Sequence, residues 1–172
     1  ASAQVLDFAD LYAGKLAASL SRQHPRDLFD IGLLLEDERA DAKLWRTFLV
    51  YLTCSPKPAW ELLAPREPVD FQVIFDAHFK GMTAEPVTAV QLLENRAGLL
   101  SWIYRRLDKL SCDFLWSIED EQPDFALIDL EGAAELPGVE RKLQNLARRS
   151  SAKRQADRHQ LEQTLERIAL GA

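Results

Sequence analysis

The sequence predicts a mainly α protein, a bundle of about seven helices with a short N-terminal strand remnant. Apolar residues recur at three- and four-residue steps along most of the chain, which is the period of an amphipathic helix. Only seven glycines occur in the 172 residues, and a β-type pattern is confined to residues 3–7. With 47 % hydrophobic residues, the helices have enough apolar surface to bury one another in a core.

The first two helices are expected within the first 35 residues. Asp7 occupies the position of an N-cap, and the helix after it should reach about Ser21. Its apolar positions are Phe8, Leu11, Tyr12, Leu16 and Leu20. Pro25 cannot continue that helix but suits the first turn of a second one, whose apolar stripe runs from Leu28 to Leu35.

The rest of the chain predicts further helices joined by polar or proline-containing segments. The longest is expected over residues 88–110, followed by a short helix that Ser111, Cys112 and Asp113 would cap. The other expected helices cover residues 41–52, 60–63, 69–79, 139–147 and 152–170. The acidic stretch 119–129 is predicted to be a loop.

Composition narrows the class of protein. Cys54 and Cys112 lie far apart without a Cys-x-x-Cys pair, so they are expected to be reduced, packed residues of a cytoplasmic protein. No apolar run approaches the ~20 residues of a membrane span, so no membrane association is expected. The sequence contains no Gly-rich phosphate loop, no metal-binding His or Cys cluster and no Gly-x-Ser-x-Gly motif.

The net charge of −6 is unevenly distributed. Residues 139–172 carry eight Lys and Arg against four acids, a net charge of +4, which leaves −10 for the first 138 residues. Such a basic segment can bind the phosphate backbone of a nucleic acid, and the candidates are Arg141, Lys142, Arg148 and Arg149. A solvated helix face accounts for the same charges and is the favoured interpretation from charge alone.

One group of charged residues near the N-terminus resembles half of an active site. Lys15 lies among Ala13, Gly14, Ala17 and Ala18, small residues that would let a ligand or another backbone approach. Its ammonium group can hold a phosphate. Alternatively, Lys15 extends its charge from a packed helix into solvent.

Two carboxylates on the second helix complete this group. Asp27 and Asp30 are three residues apart and project from one face, and Arg26 precedes Asp30 by four. Asp30 lies between two apolar residues, so it should be partly buried and need Arg26 or Lys15 as a partner. A purely structural interpretation also fits, with Asp27 as a helix-start acid and an Arg26–Asp30 pair. His24 can cap the helix or contact a ligand, and capping is the simpler account.

These residues resemble a motif of the AbiEii/AbiGii-type nucleotidyltransferase toxins, found in type IV toxin-antitoxin and phage-abortive systems. The third motif of that family is a Lys followed, after a helix and a turn, by Arg-Asp-x-x-Asp. Here the resemblance covers residues 7–18 and 22–30, with Lys15 followed by Arg26-Asp27-x-x-Asp30. Weaker similarity continues through residues 81–83 and 134–137 to about residue 147.

The resemblance implies a DNA polymerase β-like transferase that uses NTP and Mg²⁺, with some relatives acting on the 3′ end of tRNA. It also implies an RNA substrate and an antitoxin protein as partners. By the same resemblance, Lys15 would hold the NTP phosphates or the developing charge. Asp30, and with it Asp27, would act as the base or orient the attacking hydroxyl, and Arg26 would steady the carboxylates.

The sequence departs from the family in one respect. The family's metal-binding part is an N-terminal Gly-Ser or Gly-Gly followed by Asp-x-Asp, and neither occurs here. The chain is therefore expected to be the C-terminal portion of a longer enzyme, binding no cofactor and being inactive without its N-terminal domain. Residues 1–38 would end the nucleotidyltransferase core, with Lys15 at an exposed edge, and residues 39–172 would form a helical domain.

An alternative function is a non-catalytic helical module that docks an antitoxin or a regulator. This hypothesis predicts a large exposed apolar patch away from Lys15.

Overall fold

A computed structural model describes residues 7–35 and 40–171 of the protein, and these ranges contain helices and no strand. The predicted mainly α fold class is confirmed. The α-helices of these ranges are α1 (Phe8–Arg22), α2 (Pro25–Leu35), α3 (Ala42–Cys54), α4 (Ala59–Leu63), α5 (Phe71–His78), α6 (Ala89–Tyr104), α7 (Lys109–Glu119), α8 (Pro137–Ala147) and α9 (Ser151–Ala169). Two 3₁₀ helices, Phe125–Ile128 and Glu131–Glu135, lie between α7 and α8.

The N-terminal cap of α1 lies at the residue that the sequence predicted. The Asp7 carboxylate accepts a hydrogen bond from the Ala9 N–H at 2.9 Å, so α1 begins where an N-cap acid was expected. The predicted strand remnant and the predicted domain boundary at residues 38 and 39 fall on residues outside the described ranges, apart from Asp7. The two-domain division therefore stays a prediction.

One predicted helix is wrong in its extent. The helix expected over residues 88–110 ends at Tyr104, and a new helix starts at Lys109. The Asp108 carboxylate caps α7 by accepting from the Ser111 N–H at 2.8 Å, so the cap lies three residues earlier than expected. The helix was predicted too long because Leu107 and Leu110 continue the helical spacing of apolar residues across the turn.

Small residues of α1 allow it to pack closely on α3. Ala13 is fully buried in the main core. A Cβ atom added to Gly14 would lie 3.3 Å from the Tyr51 ring of α3, tighter than an ordinary van der Waals contact. At these two positions, the small residues that precede Lys15 are therefore used for helix–helix contact.

Two apolar clusters hold the helices together. The main core joins α1, α2, α3, α4, α6, α7, α8 and α9, and Trp45 and Trp102 meet edge-to-face in it with ring centroids 5.7 Å apart. Trp60 and Trp116 are half-buried against this core, so all four tryptophans pack on it. A second, smaller cluster between α2, α5 and α6 consists of Leu28, Phe71, Phe75, Phe79, Ala89 and Leu92. Consequently α1 packs on α3 while α2 packs on α6.

Within the described residues, no helix combines the length and the apolar character that a bilayer crossing requires.

Candidate functional site

Lys15 and Asp30 form an ion pair that joins α1 to α2. The Lys15 ammonium donates a hydrogen bond to Oδ2 of Asp30. The Lys15 side chain is 34 % exposed and the Asp30 side chain 38 % exposed, so the pair lies at the surface of the helical hairpin. Of the two partners that the sequence left open for Asp30, Lys15 is the one that the structure selects.

Asp27 has a different cation as its partner. Nη2 of Arg22 lies 3.1 Å from Oδ1 of Asp27, and the Asp27 side chain is mostly buried. Oδ2 of Asp27 is buried and has no hydrogen-bond partner among the described residues. Arg26 points away from both carboxylates, since its Nη2 lies 3.5 Å from the Met82 sulfur.

A buried hydroxyl that the sequence analysis missed links the backbones behind these side chains. Ser19 is 1 % exposed, and its hydroxyl donates to the Lys15 carbonyl at 2.8 Å. The same oxygen lies 3.3 Å from the carbonyl of Asp27 on the second helix. Ser19 therefore links the backbone of Lys15 on α1 to the backbone of Asp27 on α2. In the sequence, this role of Ser19 was indicated only by its being a polar residue four positions after Lys15, on the same helix.

The turn between α1 and α2 has a defined conformation. Gln23 caps the end of α1 in the left-handed region with φ of 51°. Nδ1 of His24 accepts from the Arg26 N–H at 3.3 Å, which is the capping role that the sequence favoured. This turn brings Lys15 and Asp30 together although fifteen residues separate them.

The hairpin presents one ammonium group and one carboxylate, those of Lys15 and Asp30, at its surface, while the Asp27 carboxylate on the same helix is mostly buried. An ammonium group of this kind can pair with a phosphate in place of Asp30, and a carboxylate can then accept a proton. The described residues contain no group of three or more His, Cys, Asp or Glu placed to hold a metal ion. No ligand set for the Mg²⁺ that the resemblance implies can therefore be assigned to them.

The four candidate nucleic-acid contacts differ in exposure. Lys142 is 4 % exposed and donates to the carbonyls of Ser55 and Lys57, each at 2.9 Å. Burial lowers the pKa of Lys142. Arg141 and Arg148 are exposed and form no ion pair with another described residue.

Arg149 belongs to a buried network at the start of α9. Its Nη1 lies 2.8 Å from Oδ2 of Asp157 and 3.3 Å from Oε2 of Glu119. Asp157 is 1 % exposed and also accepts from Lys153 at 2.9 Å and from the Trp60 indole N–H at 3.2 Å. Burial raises the pKa of Glu119, which the Arg149 charge opposes.

The comparisons with known proteins identify a family. Residues 1–145 match the family described as Nucleotidyl transferase AbiEii toxin, Type IV TA system. No curated protein and no solved structure matches the chain. The matched range includes Lys15, Arg26, Asp27 and Asp30 and ends before α9 begins. The chain therefore belongs to the AbiEii family of nucleotidyltransferase toxins of type IV toxin-antitoxin systems.

Proposed function

We propose that this chain positions substrates for the transfer of a nucleoside monophosphate from NTP to an RNA, such as the 3′ end of a tRNA. The observation that carries the proposal is the Lys15–Asp30 pair, which places a cation and a carboxylate together at the surface of the α1–α2 hairpin. The family supports nucleotidyl transfer in general. That the acceptor is an RNA, and that these residues have the roles given below, are proposals that go beyond the family.

In the proposed reaction, Lys15 and Asp30 separate when NTP binds. The Lys15 ammonium pairs with phosphate oxygens and stabilises the charge that develops there. The acceptor hydroxyl oxygen forms a bond to the α-phosphorus, the bond from that phosphorus to the pyrophosphate breaks, and Asp30 accepts the hydroxyl proton. Asp27 orients the hydroxyl, and the Arg26 side chain, which lies against Met82 in this structure, turns toward the phosphates when NTP binds.

The RNA contact is assigned mainly to Arg141 and Arg148. Both guanidinium groups are exposed, whereas Lys142 and Arg149 already bond within the fold. Lys142 and Arg149 would support that surface from beneath by fixing α8 and the start of α9. Phosphate contacts of this kind provide affinity without reading sequence.

The proposal places the Mg²⁺ ligands in an N-terminal domain that completes the site. Residues 1–38 would then belong with the nucleotidyltransferase core and residues 39–172 with a helical domain. These 172 residues by themselves are expected to transfer no nucleotide, because phosphoryl transfer depends on cations that neutralise the phosphate oxygens.

The test is transfer of an α-phosphate label from NTP to RNA by the intact protein that contains this chain. Asp30→Asn should lower the rate about 100-fold, since it removes the proton acceptor. Asp129→Asn is the matched control, because Asp129 also pairs with a cation, Arg46, but lies elsewhere on the surface. Equal rates for Asp30→Asn and the wild type would refute the proposal.

A second candidate function is docking of an antitoxin or a regulator. A groove of about 550 Å³ lies between α1, α3 and α8, and its lining includes Tyr51, Val50, Leu130 and Leu136 but not Lys15. Tyr51 and Leu136 are exposed at its mouth, and Asp10 adds an acidic edge. An apolar groove with an acidic edge suits an amphipathic segment that carries Lys or Arg.

This second function predicts a loss of affinity from one groove substitution. Leu136→Asp should weaken binding of the antitoxin at least 10-fold in a titration calorimetry experiment. Leu170→Asp is the control, since Leu170 is an exposed leucine at the end of α9, outside the groove. Unchanged affinity for Leu136→Asp would exclude this groove as the docking site.

A further inference from the structure

We infer that Arg96 and Asn95 of α6 are positioning residues that set the geometry of the Lys15–Asp30 pair. The inference rests on the proposed function of that pair and adds residues that the motif does not contain. Neither side chain touches Lys15 or Asp30. They hold the turn and the helix that bring those two residues together.

Arg96 joins three separate segments of the chain. It is 7 % exposed, and its Nε donates to Oε1 of Gln23 at 2.5 Å. Its Nη2 donates to the Pro65 carbonyl at 2.8 Å, and its Nη1 lies 2.9 Å from Oε1 of Glu67. A buried guanidinium is tolerated when its donors are satisfied in this way. Arg96 therefore fixes the α1–α2 turn against the segment between α4 and α5.

Gln23 is the residue of the turn that Arg96 holds. It adopts the left-handed conformation, which is unfavourable for a non-glycine residue. Its side-chain amide donates to the Arg66 carbonyl at 2.8 Å while its Oε1 accepts from Arg96. Both ends of the Gln23 side chain are thus bonded, and these bonds offset the backbone strain.

Asn95 bonds to α2 in the part of the helix that carries Asp27 and Asp30. Its Nδ2 donates to the carbonyl of Leu28, which lies between Asp27 and Asp30 in the sequence. A Cβ atom on Gly32 would lie 2.2 Å from this Nδ2, so α2 can approach Asn95 this closely only because residue 32 is glycine. Asn95 therefore fixes how α2 lies on α6.

The two adjacent residues act on the two parts of the hairpin that determine the site. Arg96 fixes the turn after α1, and Asn95 fixes the helix that carries Asp30. A displacement of about 1 Å at a reacting group can lower a rate about 100-fold. Loosening either contact should therefore lower the catalytic rate more than it weakens substrate binding.

The test measures kcat and KM for NTP in the intact protein. Arg96→Lys keeps the charge but cannot form all three bonds, and it should lower kcat about 10-fold or more with a smaller change in KM. Gln23→Asn keeps a residue that tolerates the left-handed region while shortening the bridge, and it should act in the same direction. Arg105→Lys is the control, because Arg105 is exposed at the end of α6 and, among the described residues, its side chain bonds to Ser101 of its own helix.

Combination with Asp30→Asn separates positioning from a merely structural role. If Arg96 acts through the pair, Arg96→Lys should cause little further loss once Asp30 is replaced. A further loss equal to that in the wild-type background would overturn the inference, as would unchanged kcat for Arg96→Lys. Should Arg96→Lys fail to fold, Gln23→Asn decides the question by the same criteria. Full activity of Asp30→Asn alone would overturn the proposed function and this inference with it.

Discussion

At the residue level, Lys142 is a lysine whose side chain is buried in the fold. Its ammonium bonds to the carbonyls of Ser55 and Lys57, just after α3 and before α4, and so attaches α8 to that connection. Burial disfavours the charged form and lowers the pKa of Lys142 below its usual 10.5. In the pH window between the lowered value and 10.5, the native state binds fewer protons than the unfolded state. The free energy of unfolding contributed by Lys142 therefore rises with pH across that window.

Replacement of Lys142 by methionine should remove this contribution. We expect the difference in unfolding free energy between the wild type and Lys142→Met to shift in favour of the wild type as pH rises toward 10.5. Urea denaturation at several pH values measures this difference. Lys80→Met, at an exposed lysine paired with Asp76, is the control for the loss of a lysine charge without burial. A difference that does not depend on pH would contradict the stated effect of burial.

The residues of the candidate site lie on the two helices that the sequence predicted, but their pairing was not predictable. The spacing of Asp27 and Asp30 placed both on one helix face, and Asp30 was expected to need Arg26 or Lys15. The choice depends on the turn at Gln23, which brings α1 alongside α2. That turn is held by bonds to distant residues such as Arg96, which no local pattern reveals.

At the level of elements, the N-terminal half of α9 is attached to the end of α7 by charged contacts, whereas Leu161 and Leu165 further along the helix pack in the main core. Arg154 pairs with Glu121 at 2.7 Å, and Arg158 pairs with Asp120. At the centre, Asp157 is buried with bonds to Arg149 and other donors. Because these contacts are polar, the N-terminal half of α9 depends on their being complete.

Asp157→Asn should loosen α9. It leaves Arg149 and Lys153 without their shared carboxylate, and breaking a buried ion pair typically costs about 3–5 kcal/mol. Urea unfolding should show a loss in this range, and limited proteolysis should cut near α9 sooner. Asp113→Asn, which removes an exposed pair with Lys109, should change stability by less than about 1 kcal/mol. Similar effects of the two variants would show that the network does not hold α9.

Helices with a clear apolar period were predictable to within a few residues, as α2 and α8 show. The break between α6 and α7 was missed because the period continues through it and only the Asp108 cap marks it. The roles of the α9 cations were also missed. Their partners Asp120 and Glu121 lie more than thirty residues away in sequence, so the basic segment resembled a solvated or nucleic-acid-binding face.

At the level of the whole molecule, the uneven charge is partly balanced within the fold. The basic C-terminal segment lies against acids of the preceding body, so its net charge of +4 is not all available to a partner. The N-terminal hairpin differs, since its Lys15 and Asp30 remain at the surface between a helix packed on α3 and a helix packed on α6. We propose that this surface pair serves nucleotidyl transfer rather than stability.

The most direct test compares label transfer to RNA and unfolding free energy for Lys15→Met in the intact protein. A surface pair contributes only about 0–1 kcal/mol, so stability should change within that range. Transfer should fall about 100-fold, because the phosphate charge loses its cation. Lys43→Met, which removes the exposed pair with Asp7, should keep full transfer. Wild-type transfer by Lys15→Met, or a loss of transfer that merely follows unfolding, would contradict the claim.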